Sequence, residues 1–307
     1  NPNIENNKFN KKYFDFIKNT VEDDIKSIKD NGSKYSIIRL YEEMDKGPLS
    51  YRTSGYLEDL DKVTEENLYE YYKKVIDEDK IDIFIIGDIE EDIEKIFSKY
   101  IKNNHPIKNE LSHFIELSEM KDEIEKKERV KTNQSNLALG LRTKDLTDFE
   151  LKYVLNLYSL ILGGTSTSRL FQTVREKNSL CYNINSSVSV IPKIITITAG
   201  INRENYEKTI KLIKQEINKM KKEITDKEIE EAKKIYISGC MEIYDSPNSI
   251  INNYLSYEYG SLDLIEDRIK NIKKVTKDDI LNVADKVIID KIFLLEGVLK
   301  DEKDTFK

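Results

Sequence analysis

The chain has 307 residues, which suits about two domains on a prior of roughly 150 residues each. Charged residues make up 35% and apolar residues 38%, and no apolar run approaches the roughly 20 residues of a membrane span. The formal net charge is −7 with no basic block, which argues against a nucleic acid or an anionic membrane as partner.

Two cysteines, Cys181 and Cys240, cannot build a disulfide scaffold. No secretory apolar stretch and no initiator Met mark the opening Asn1-Pro2-Asn3, and the lack of a disulfide scaffold makes a reducing cytoplasm the expected location. The two histidines, His105 and His113, lie in the irregular stretch NNHPIKNELSHF. They are too far apart for one helical turn, which needs a spacing of about three or four. A three-histidine zinc site within the chain is therefore excluded, and a cysteine-rich one fails with it. Hydrolytic metal chemistry would need ligands from outside these residues.

In chain order, residues 9–29 read as a helix with Phe14, Ile17, Val21, Ile25 and Ile28 on one apolar stripe. Asp30-Asn31-Gly32-Ser33 breaks it, and a second helix is expected over 34–44. Thr64 is a good N-cap for a helix over 65–76. Residues 81–86, IDIFII, predict a buried strand, and Asp88 with Glu91 resembles a capping box for a helix over 89–100. Residues 103–122 are polar, contain Pro106 and read as a linker. Leu137, Leu139 and Leu141 alternate as one face of a strand. An apolar helix over 148–162 stops at Gly163-Gly164, and another helix covers 167–177. Gly163-Gly164 follows a helix, so this is a turn and not a phosphate loop. Strands follow at about 181–190 and 194–201. The helix over 203–222 carries Ile210, Ile213, Ile217 and Met220 on one stripe, and Thr225 with Glu228 caps a helix reaching about 244.

An internal repeat runs through these elements. Val63-Thr64 matches Val275-Thr276 at an offset of 212, and Leu68, Lys74, Val75 and Ile76 meet Ile280, Lys286, Val287 and Ile288. Phe84-Ile85-Ile86-Gly87 parallels Leu294-Leu295-Glu296-Gly297 at a slightly smaller offset. The first helix parallels 224–244 at an offset of about 215, each followed by a stop and another helix. The expected organisation is a unit truncated to its back half at 1–102, a linker at 103–122, and a complete copy of the same unit at 123–307. On that expectation the chain starts in the middle of a domain.

The segment 163–182, GGTSTSRLFQTVREKNSLCY, strongly resembles the C-terminal domain of the insulinase/pitrilysin-type zinc metallopeptidases, the inverzincins. The segment 57–89, LEDLDKVTEENLYEYYKKVIDEDKIDIFIIGDI, is similar to the end of that family's N-terminal domain. The resemblance covers essentially the whole chain. It implies an α+β fold with two homologous domains, each a mixed, largely antiparallel sheet with packed helices. Active members bind zinc through an HxxEH helix, and substrate lies in a chamber between the halves.

No H-x-x-E-H occurs in this chain. By the resemblance, Asp24 stands at a later zinc-ligand position usually held by Glu, and Ile17 stands where active members often carry a second Glu. The Asp carboxylate falls roughly 1.5 Å short of a Glu carboxylate on a fixed helix. A zinc–oxygen bond of about 2.0–2.2 Å tolerates little of that. Ile17 offers no hydrogen bond to orient a ligand. The alternative is that Asp23 and Asp24 are solvated helix charges. Arg175 and Tyr182 stand seven apart, and the family uses an Arg/Tyr pair at this spacing to hold substrate backbone. A guanidinium and a phenol can both donate to a peptide carbonyl. Structural roles, an ion pair for Arg175 and packing on the sheet for Tyr182, remain the alternative.

The expected function is that of a non-catalytic peptidase-family subunit of bacterial type. It would bind peptide or unfolded polypeptide and pair, as a homodimer or a heterodimer, with an HxxEH-bearing paralogue. Zinc is expected only in that active homologue. The alternatives are a fragment of an active zinc metalloendopeptidase whose HxxEH lies upstream, and a purely structural subunit of the same fold.

Overall fold

The computed structural model describes residues 2–89, 92–100, 115–120, 124–260 and 262–298. In chain order the elements begin with the two-residue strands β1 (Ile4–Glu5) and β2 (Lys8–Phe9). The helices α1 (Lys11–Ser27), α2 (Gly32–Met44), α3 (Leu57–Leu60), α4 (Glu65–Glu78) and α5 (Ile93–Phe97) follow. Then come β3 (Glu125–Val130), β4 (Ser135–Thr143), a π-helical turn at Glu150–Val154, α6 (Leu155–Leu162) and a second π-helical turn at Phe171–Glu176. The chain continues with β5 (Cys181–Ser189), β6 (Ile194–Ile201), α7 (Tyr206–Met220), α8 (Asp226–Glu242), α9 (Pro247–Glu258), α10 (Ile265–Lys274), α11 (Lys277–Lys286) and β7 (Val287–Gly297).

These elements form two compact units, one of 1–28 with 52–112, the other of 29–51 with 113–307. In the first unit α4 packs on the β1–β2 hairpin, where the Phe9 ring lies edge-on to Tyr69 and Tyr72. Lys18 on α1 donates to the Val63 carbonyl at 2.9 Å. Thr64 caps α4 as expected, its hydroxyl accepting from the Asn67 amide while the Asn67 side chain accepts from the Thr64 amide.

The second unit is built on a five-stranded sheet of order β3-β7-β4-β6-β5. Only β3 runs parallel to its neighbour; the other pairs are antiparallel. The alternation seen in the sequence assigns each side chain to a layer. Leu137, Leu139, Leu141, Ile195, Ile197, Ile292 and Leu294 turn to the main core, shared with α6, α7, α8, α10 and α11. On the other face lies α2, with Leu40 and Met44 fully buried. Glycine makes this approach possible. A Cβ on Gly140 would collide with the Met44 sulfur and sit 2.7 Å from its methyl. The strongly apolar composition of 151–162 follows from this burial, since Leu155, Leu157, Tyr158 and Leu162 have no exposure.

Two expectations are corrected. Residues 81–86 are not a strand. Their repeat counterpart β7 pairs with β3 and β4, whereas no described strand lies beside 81–86, and an unpaired strand leaves its ladder N–H and C=O groups unsatisfied. The helix expected over 89–100 is α5, capped by Asp92, whose side chain accepts from the Lys95 amide. Much of the segment read as a linker, with His105 and His113, lies outside the described residues.

Candidate functional site

Arg175 and Tyr182 line one open cavity of about 380 Å³, together with Glu176, Ser179, Leu180, Cys181, Asn202 and Asn205. Different local devices bring them there. Arg175 lies in the π-helical turn, where the Lys177 amide donates to the Gln172 carbonyl, a bond one residue longer than an α-helix makes. Its guanidinium lies 4.6 Å from the centre of the Phe171 ring and pairs with Glu176 at 3.7 Å. Stacking restricts the arm while leaving its N–H groups toward solvent. The chain then reverses through Ser179, whose φ of 52° is left-handed. The Ser179 and Leu180 amides close the turn by donating to the carbonyls of Arg175 and Val174.

Tyr182 is re-aimed by a β-bulge. Cys181 pairs with Ile201 and Asn183 pairs with Gly200, so Tyr182 is the extra residue on β5. The Asn183 side chain accepts from the Gly200 amide at 2.9 Å and so satisfies a donor at the irregularity. Tyr182 itself is 61% exposed, and its hydroxyl donates to Asn202 Oδ1 at 2.8 Å. Asn205 steadies the floor by donating to the Leu180 carbonyl. Burial pushes the Cys181 thiol up to about 11, with Arg175 opposing weakly, so this lining group is a neutral thiol. Asn202, Asn205 and Ser179 went unnoticed in the sequence. No local motif marks them, because they join the site only through the β5–β6 pairing and the left-handed turn.

β5 is the last strand in the sheet order, so its outer edge is unpaired among the described residues. Such an edge can hydrogen-bond an extended backbone.

The expected metal position has a different character. Asp24 is exposed on α1, and Ile17 joins Phe14, Val21, Leu60, Val63 and Leu68 in an apolar groove. No group of three or more His, Cys, Asp or Glu able to hold a metal occurs among the described residues. One exposed carboxylate beside an apolar groove does not fit zinc, which needs three or four converging donors.

Residues 62–236 match the family model described as peptidase M16 inactive domain. The chain belongs to the M16 peptidase family. It is 28% identical over 303 residues to the Bacillus subtilis protein named probable inactive metalloprotease YmfF, covering 96% of this chain and 70% of that protein. It is 32% identical over 161 residues to an uncharacterized zinc protease of Rickettsia felis, covering 50% of this chain but only 38% of that protein. A solved structure of a conserved protein from Enterococcus faecalis superposes with a TM-score of 0.86 at 25% identity, covering 98% of this chain and 72% of that one. The α+β fold expected from the M16-type segments at 163–182 and 57–89 is therefore the observed one. The chain is a member of the family matching its inactive domain, consistent with a non-catalytic role. No helix among the described residues is long and apolar enough to cross a membrane.

Proposed function

We propose that this chain is a non-catalytic M16 subunit that holds extended or unfolded polypeptide for an active, HxxEH-bearing partner. The observation that carries this reading is the convergence of Arg175 and Tyr182 on one open cavity beside the free edge of β5. The edge offers backbone donors and acceptors to a peptide strand. Arg175 donates to its carbonyl oxygens, and Tyr182 can exchange the Asn202 contact for a peptide carbonyl. The Cys181 thiol is neutral, and the other polar lining groups offer hydrogen bonds to a peptide backbone. On this reading the site binds and orients a peptide strand. The name of the Bacillus relative supports the non-catalytic part of the reading. The repeat supports a back half-unit over 1–102 and a complete unit from 123, and the two free cysteines favour a reducing cytoplasm.

The test is fluorescence anisotropy with a labelled, unstructured peptide, alongside metal analysis and a cleavage assay. Saturable binding without cleavage and without stoichiometric zinc is expected. Arg175→Ala and Tyr182→Phe should each weaken binding by about fivefold to tenfold, the loss of one hydrogen bond. Binding unchanged in both variants would leave a purely structural subunit. A second reading, a portion of an active zinc protease, is favoured by the name of the Rickettsia relative. An HxxEH motif in sequence upstream of these residues, with zinc and cleavage in that longer chain, would establish it.

A further inference from the structure

The turn that carries Arg175 is wider than an α-helix, and a side chain outside the cavity holds it so. The Lys177 amide reaches past Thr173 to the Gln172 carbonyl. In an α-helix it would meet Thr173 instead, because each amide there meets the carbonyl four residues earlier. The carbonyl passed over has another partner: Asn178 Nδ2 donates to the Thr173 oxygen at 2.8 Å.

Thr173 is itself anchored. Its hydroxyl donates at 3.4 Å to Oε1 of Glu216 on α7, and Lys219 holds the same oxygen at 2.8 Å. Glu216 is only 4% exposed, so this anchor belongs to the packed body of the unit. Asn178 thus fastens the outgoing chain to a fixed residue and closes a ring over 173–178. Arg175 and Glu176 lie within that ring and line the cavity, whereas Asn178 does not. Removing the Asn178 amide leaves a half-buried carbonyl in want of a donor. The nearest one is the Lys177 amide. Taking it closes the turn to an α-turn, which moves the residues after Thr173 by one helical position, about 100° around the axis. Arg175 is among them.

We infer, on the peptide-holding reading of this cavity, that Asn178 is a positioning residue: by occupying the Thr173 carbonyl it keeps the turn wide and Arg175 aimed at the peptide. It acts through Arg175 and touches no peptide itself.

The test measures binding of the labelled, unstructured peptide to the full chain by anisotropy. Asn178→Ala should weaken it by about threefold or more, and Asn178→Leu, which keeps the bulk without the donor, should do the same. In an Arg175→Ala background Asn178→Ala should cost nothing further, while in a Tyr182→Phe background it should cost its full factor. A merely structural role would lower binding by the same factor in every background. Cys181 supplies a readout without peptide. The Arg175 charge draws this thiol down against its burial, so moving the guanidinium away raises it further. Alkylation by iodoacetamide at a fixed alkaline pH, followed at Cys181 by mass spectrometry, should slow by about twofold in Asn178→Ala, as in Arg175→Ala. Full binding by both Asn178 variants overturns the positioning role, as does an undiminished loss in the Arg175→Ala background. If the unaltered chain binds no peptide, the peptide-holding reading fails by itself. The alkylation then decides alone, and an unchanged rate in Asn178→Ala overturns the hold on Arg175.

Discussion

The guanidinium of Arg142 donates through Nε to Oδ2 of Asp290 at 2.5 Å, and Asp290 has no exposure. Asp290 is itself the extra residue of a bulge in β7, between Ile289 opposite Leu141 and Lys291 opposite Gly140. The other two nitrogens of Arg142 donate to the carbonyls of Ser118 and Met44. One side chain thus ties the end of α2 and the segment around Ser118 to the sheet. Arg142→Ala should destabilise the second unit by about 3–5 kcal/mol, because a buried carboxylate loses its partner. Arg142→Met with Asp290→Leu should cost clearly less than either single change. Denaturant unfolding of the three variants measures the coupling, and strict additivity would refute it.

The seating of α2 gives a second expectation. Gly140→Ala forces Met44 out of its buried position, and overpacking of this kind costs about 1–3 kcal/mol. Against a Met44→Ala background, which itself loses buried packing, the added methyl of Gly140→Ala should cost much less. An equal cost of Gly140→Ala with and without the Met44 side chain, measured by denaturant midpoints, would contradict this geometry.

The same corner sets an acid sensitivity. Burial alone would raise the Asp45 carboxyl, yet the amide and hydroxyl of Ser118 and nearby backbone amides outweigh it and hold it below the ordinary carboxylate range. A carboxyl depressed in the folded state stabilises above its unfolded pKa, and that stability is lost as pH falls through the folded value. Unfolding midpoints should therefore fall on acidification, and Asp45→Asn should flatten that limb while lowering stability at neutral pH. A parallel acid profile in the variant would exclude Asp45 as a contributor.

Cys181 faces the peptide cavity but is raised to about 11, and the thiolate is the reactive form. Alkylation of this thiol by iodoacetamide should be slow at neutral pH in the folded chain and should rise through the alkaline range. Reaction at the rate of an unfolded control at neutral pH would mean the cavity does not shield it.

Much of this was legible in the residues. The Thr64 cap and the Thr225/Glu228 pair are local chemistry, and each begins a helix in the structure. Leu137, Leu139 and Leu141 show the β4 core face because strand periodicity is also local. The segment 81–86 misled because apolar β-branched composition cannot report whether a neighbouring strand is present to pair with it. Arg175 and Tyr182 were found through the resemblance, but their convergence was not legible. It depends on a π-helical turn and on a one-residue bulge, and neither has a periodic signature. Asn202 was invisible because it enters from the end of a different strand.

That bulge supports the last expectation. Asn183 does not line the cavity, yet its side chain takes the Gly200 amide beside the residue that does. Asn183→Ala leaves this donor unpaired, at a cost of about 1–2 kcal/mol. The bulge would then relax toward regular pairing, which turns the residue after Cys181 to the other face of β5. Tyr182 would leave the cavity without being altered. Asn183→Ala should accordingly weaken peptide binding about as much as Tyr182→Phe, and combining the two should add little. Asn183→Asp keeps an acceptor at the same position and should retain binding. Full additivity of Asn183→Ala and Tyr182→Phe would show that the bulge does not act through the tyrosine.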